Sequence, residues 1–125
     1  MNVLLIDDDI ECLKSIGKAL RINGIPNAQF TNPVKAIASY KATDYDVVVT
    51  DMKMPHMSGL ELTREIRDFD PDARVIILSA FDDEHNKEKA KRCGAEIFLH
   101  KSVSFEKFLH IIEGSYVLNE NAEQK

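Results

Sequence analysis

Four short apolar runs constrain this chain more than any other feature: Val3–Ile6, Val47–Val49, Val75–Leu78 and Ile97–Leu99. Each is continuous instead of alternating, and each is partly β-branched or aromatic. Runs of this kind mark strands covered on both faces, as in a parallel sheet between layers of helices. A weaker segment, Ala28-Gln29-Phe30, suits an edge strand. Helical patterns fill the intervals. Ile10 to Ile22 carries Leu13, Ile16 and Leu20 on one face and is followed by Gly24 as a stop. Asn32-Pro33 reads as an N-cap with proline at the first helical position, opening a helix through Val34, Ile37 and Ala38. Ser58-Gly59-Leu60-Glu61 is a capping box, and Leu62 and Ile66 continue its apolar face towards Pro71. Glu84 to Cys93 is a polar helix ended by Gly94, and Ser104 caps a last helix striped by Phe105, Phe108, Leu109 and Ile112. Strand and helix thus alternate five times. The expectation is a doubly wound α/β domain with a five-stranded parallel sheet and right-handed crossovers.

At 125 residues the chain has room for one core and not two. We expect one domain over residues 1–118 and a flexible polar C-terminal tail over 119–125. A hydrophobic content of 44% with 30% charged residues excludes a disordered chain. No apolar run approaches the roughly 20 residues of a membrane span. The N-terminus meets acids at Asp7 and lacks the basic start of a signal peptide. A cytoplasmic protein without a membrane partner is the expectation. The net charge of −5 argues against direct binding to nucleic acid, which relies on cations neutralising phosphates. Cys12 and Cys93, each placed in a helix, have no partner at metal spacing and read as reduced packing residues.

The chemistry collects where the strands end. The first run ends in Asp7-Asp8-Asp9, the third strand in Asp51, the fourth in Ser79 and the fifth in Lys101. Chains become polar on leaving a core, so any one of these ends reads equally well as a solvated strand end. Four together favour a site, because ligands of open parallel sheets bind beyond the carboxyl ends of the strands. Clustered carboxylates repel one another, and a stable cluster implies a cation. Oxygen donors suit a hard ion such as Mg²⁺. A lysine and a hydroxyl nearby can hold phosphate oxygens, and phosphoryl transfer asks for little beyond positioning and charge neutralisation.

Val3-Leu4-Leu5-Ile6-Asp7-Asp8, Val48-Val49-Thr50-Asp51-Met52-Lys53-Met54-Pro55 with Gly59, Ile77-Leu78-Ser79-Ala80 and Phe98-Leu99-His100-Lys101 occur in that order. This set closely resembles the receiver domain of bacterial response regulators, such as those of chemotaxis, over about Met1 to Glu113. The resemblance implies a flavodoxin-like (βα)5 fold with strand order 2-1-3-4-5. It implies that Asp51 accepts a phosphoryl group from a sensor histidine kinase, and that Asp8, Asp51 and the backbone carbonyl of Lys53 hold Mg²⁺. Asp7 would act on the metal through a water, Lys101 would contact the phosphoryl group, and Ser79 would swing to hydrogen-bond it. Phe98 would be the aromatic switch that packs inward when Ser79 moves. The signal would leave through the face of the fourth helix, fifth strand and fifth helix, towards an output domain, a partner protein or a homodimer. Such a chain phosphorylates and dephosphorylates itself but is not a turnover enzyme.

The sequence departs from the family after Lys101, where Ser102 replaces the usual proline. A cis bond before a non-proline residue costs about 2.5–4 kcal/mol, so either the site tolerates that strain or, as the cost favours, the bond is trans and Lys101 approaches differently. Lys53 and Phe81 flank the site and are expected to tune hydrolysis by bordering the path of attacking water; Phe81 reads equally as a loop anchor. Asp9 matches no site position and reads as an acid favoured by the first helix dipole. His56 reads as a surface residue, while His85, His100 and His110 form no metal set. Met52, Met54 and Met57 read as packing around the turn. Two other readings stay open. A haloacid dehalogenase-type phosphatase would use Asp7 and Asp9, although Glu11 stands where its motif needs threonine and no cap domain fits. A pseudo-receiver would bind partners without phosphorylation.

Overall fold

The computed structural model describes residues 1–80 and 84–114, and five strands alternate with five helices through them. The elements are β1 (Val3–Ile6), α1 (Ile10–Ile22), β2 (Asn27–Phe30), α2 (Pro33–Ala42), β3 (Val47–Asp51), α3 (Gly59–Phe69), β4 (Val75–Ser79), α4 (Glu84–Arg92), β5 (Ile97–His100) and α5 (Phe105–Ile112). All strand pairs are parallel, in the order β2-β1-β3-β4-β5. The doubly wound, flavodoxin-like fold is the one expected.

Local chemistry starts most of these helices. The Asn32 side chain accepts from the Val34 and Lys35 backbone N–H groups ahead of Pro33. Ser58 and Glu61 close a reciprocal capping box on α3, and Ser104 caps α5. Gly24 and Gly94, at φ +76° and +93°, supply the left-handed residues that stop α1 and α4. α4 ends at Arg92, so Cys93 lies one residue beyond it; its N–H still reaches the Lys89 carbonyl at 3.0 Å.

Two apolar layers sandwich the sheet. On one face Leu13 and Leu20 of α1 and Phe108, Ile111 and Ile112 of α5 pack on Val3, Leu5, Val49, Ile76 and Leu99. On the other, Ala36, Ile37 and Tyr40 of α2 and Leu62 and Ile66 of α3 cover Leu4, Ile6, Val48 and Val75. A smaller cluster of Met52, Ile77 and Ala90, with Phe98 and Leu60 against it, seats α4. Three strands run further than their apolar runs. Asp51 pairs with Leu78 and Ser79 with His100, so ladder bonds carry polar residues to the carboxyl edge of the sheet.

Candidate functional site

β1 and β3 are neighbours, yet the chain leaves β1 for β2 on the opposite side. The strand order reverses there, which opens a crevice beyond the carboxyl ends of β1 and β3. Asp7 and Asp8 enter it just after β1, and Asp51 enters it as the last residue of β3. These three carboxylates each offer an oxygen, all within 4.8 Å of one another. Asp7 is 4% exposed and Asp51 9%, while Asp8 faces solvent. Lys101 reaches in from the end of β5. Its Nζ donates to Asp7 Oδ2 at 3.0 Å and lies 3.2 Å from Asp51 Oδ1.

One ammonium against three carboxylates leaves the crevice short of positive charge. Burial, followed by the charge of Asp7, pushes the Asp51 carboxyl up to about 6, although Lys101 and the Met52 N–H pull the other way. Burial opposes the Lys101 ammonium, but its bond to Asp7 and the charge of Asp51 prevail and hold its pKa above the ordinary lysine range. This compact set of oxygen donors fits a small, hard divalent cation.

The backbone beneath Asp51 is tightly specified. Gly59 opens α3 directly against it: its N–H donates to the Met52 carbonyl at 2.8 Å, and a Cβ there would collide with the Asp51 carbonyl oxygen and approach Met52 Cα to 3.1 Å. Buried Thr50 donates to the Asp51 carbonyl oxygen at 3.0 Å, and the Met52 N–H donates to Leu78 at 3.0 Å. Between Met52 and Gly59 the chain makes a tight turn at exposed His56, whose φ of 72° accompanies a 2.8 Å bond from the Met57 N–H to the Pro55 carbonyl.

A cavity of about 210 Å³ opens beside Asp51, lined by Met52, Lys53, Ser79, Ala80 and Lys101. Ser79 is 1% exposed at the end of β4. Phe98 does not line this space. It is half-buried against Met52, Ile77 and Ala90, which connects it to the Asp51 loop through Met52. Phe81 lies outside the described residues, as does the expected tail over 119–125. Asp9 caps α1: its Oδ1 accepts from the Glu11 and Cys12 N–H groups at 3.0 and 3.3 Å, and its own N–H donates to Asp7 Oδ1 at 2.9 Å. Both Asp9 and its helix therefore hold Asp7 in place.

Some neighbours of the site were not visible in the sequence. Cys12, read as packing alone, is half-buried beside Asp7; burial and a hydrogen bond to that carboxylate push its thiol up to about 11, so the S–H donates. The i to i+5 spacing across a strand-to-helix turn is the only sequence signal for this contact. The Lys101–Ser102 peptide is trans, as the cost of a non-proline cis bond favours. His100 turns inward on its own loop and pairs with Ser102.

The family profile of the response regulator receiver domain matches residues 3–113. The chain belongs to this family. A response regulator receiver protein of Anaeromyxobacter is 32% identical over 86% of this chain and 45% of its own length. The chemotaxis protein CheY of Treponema pallidum is 34% identical over 89% of this chain and 79% of its own. Among solved structures, the response regulator TrrA of Thermotoga maritima, in complex with Mg²⁺ and beryllofluoride, superposes with a TM-score of 0.82. It is 26% identical over 92% of this chain and 98% of its own. The chain spans only 45% to 22% of the first several curated relatives it matches. No helix among the described residues of this receiver domain is long and apolar enough to cross a membrane.

Proposed function

We propose that this receiver domain is a phosphoacceptor switch in which Asp51 takes a phosphoryl group from the phosphohistidine of a sensor histidine kinase. The observation that carries the reading is the convergence of Asp7, Asp8 and Asp51 within 4.8 Å, with Lys101 Nζ 3.2 Å from the Asp51 carboxylate. Asp8, Asp51 and the Lys53 carbonyl would hold Mg²⁺, with Asp7 acting through a water. When bound, Mg²⁺ supplies positive charge that offsets repulsion between the acids and an incoming phosphoryl group. The chain's own residues do the rest. An Asp51 oxygen attacks phosphorus as the P–N bond breaks, and Lys101 faces the developing charge.

Phosphorylation then converts the Asp51 carboxylate into an acyl phosphate that offers Lys101 and Ser79 new oxygen acceptors. These contacts exist in one state and not the other, which is what a two-state bias requires. Ser79 moving towards the phosphate would free space for Phe98 to pack inward. The surface of α4, β5 and α5 would carry the change to a partner, an output domain or a second copy.

The test is labelling with acetyl phosphate and Mg²⁺, with mass spectrometry to locate the acyl phosphate. Stoichiometric label on Asp51, abolished in Asp51→Asn, is expected. Label that persists in Asp51→Asn overturns the assignment, and label on Asp7 points to the phosphatase chemistry. A wild-type chain that takes no phosphate would be a pseudo-receiver.

A further inference from the structure

His100, Lys101, Ser102 and Val103 form a turn closed by the Val103 N–H donating to the His100 carbonyl at 3.0 Å. Lys101 and Ser102 are its two central residues. The Lys101 N–H donates to the Ser79 carbonyl at 2.7 Å, anchoring the turn to the end of β4. Inside it, the Ser102 backbone N–H donates to His100 Nδ1 at 3.0 Å, and the Ser102 hydroxyl lies 2.7 Å from the same nitrogen. A backbone N–H can only donate, so this contact requires His100 Nδ1 as its acceptor, which is the tautomer carrying its proton on Nε2. This is the bond that asparagine and aspartate side chains make to the N–H two residues on, here made by an imidazole.

A proline at 102 has no N–H to offer. Ser102 therefore keeps a donor that a proline would lack, and His100 two residues earlier receives it. Lys101 sits between them with its backbone held on both sides, and its Nζ spans Asp7 and Asp51 at 3.0 and 3.2 Å. We infer that His100 is a positioning residue that aims Lys101 at the acidic crevice through the Ser102 N–H.

The inference rests on the reading of Asp51 as phosphoacceptor only for its kinetic readout. The full-length chain and its variants are labelled with acetyl phosphate at saturating Mg²⁺, and Mg²⁺ affinity is titrated separately. His100→Leu is expected to lower the maximal rate about tenfold, the equivalent of one hydrogen bond, while Mg²⁺ affinity stays within about twofold because no proposed ligand touches the ring. His100→Asn, whose Oδ1 can accept from the same N–H, is expected to recover the rate to within about threefold. Ser102→Ala keeps the N–H and is expected to stay close to wild type. Nitrogen-15 NMR should report the Nε2–H tautomer of His100 at neutral pH and a Lys101 Nζ signal that shifts in His100→Leu and returns in His100→Asn. A wild-type rate in His100→Leu, no recovery in His100→Asn, or a proton on Nδ1 overturns the inference. Should the wild type take no phosphate, the phosphoacceptor reading fails by itself, and the Lys101 signal decides the positioning role: no change in His100→Leu rejects it.

Discussion

Replacing the central carboxylate by its neutral isostere should make the divalent-free protein more stable. In the folded state the Asp51 carboxyl is pushed up to about 6 from an ordinary value of 3.8, by burial first and by the charge of Asp7 second. The folded state then binds this proton more tightly than the unfolded chain. Its stabilising contribution is complete below about pH 4 and is lost as pH rises through about 6. Two pKa units correspond to about 3 kcal/mol, an upper bound on the destabilisation at pH 7.5. Asp51→Asn removes the charge but weakens the bonds from Lys101 and the Met52 N–H, so a gain of about 1–2 kcal/mol is expected. For a chain of this length that is a rise in Tm of about 4–8 °C.

The assay is thermal unfolding followed by circular dichroism, for wild type and variant in EDTA between pH 4 and 8, and again with Mg²⁺. The gain should be largest above pH 7, shrink through pH 6 and vanish near pH 4. Mg²⁺ should raise the Tm of the wild type and leave the variant nearly unmoved. A variant no more stable than wild type in EDTA at pH 7.5, or a gain that does not depend on pH, would refute the electrostatic reasoning.

Two further outcomes follow from packing. Gly59→Ala should lower stability by about 1–3 kcal/mol in urea unfolding and slow phosphorylation, because the added methyl meets the backbone of Asp51 and Met52, which cannot yield as a side chain would. Arg74 forks onto Glu96 at 2.7 and 2.8 Å and also donates to the Ile111 and Ile112 carbonyls at 2.8 Å, tying the end of α5 to the sheet. Arg74→Met should cost about 1–2 kcal/mol, since the Glu96 pair is partly solvent-screened and most of the loss comes from the carbonyls. Glu96→Gln should cost less, and an equal loss in the two variants would reject that division.

Much of this receiver domain was legible before any coordinates. The four apolar runs became strands because a strand buried on both faces must be apolar throughout, and Asn32, Ser58 and Ser104 became caps because their side chains bond to N–H groups two or three residues on. Glycines 24 and 94 end helices by adopting positive φ. The acids at the strand ends were visible as a set, and their meeting in one crevice follows from the reversal of strand order between β1 and β3. Other features were hidden. The extension of β3 and β4 through Asp51 and Ser79 depends on ladder partners in other strands. Arg74 carries no signal in the sequence, because nothing local announces that the last carbonyls of α5 lie within its reach.

The sequence alone determined the order of the elements, most of their caps and glycine stops, and which residue types end each strand, because these rest on interactions within a few residues of chain. Tertiary structure alone decided the state of the groups in the crevice. Asp51 is held near pH 6 by burial and by Asp7 on a neighbouring strand, and Lys101 pairs with Asp7 across 94 residues of sequence. Only the folded chain brings these groups into a shared, partly buried space, and there charge interactions are strong enough to matter.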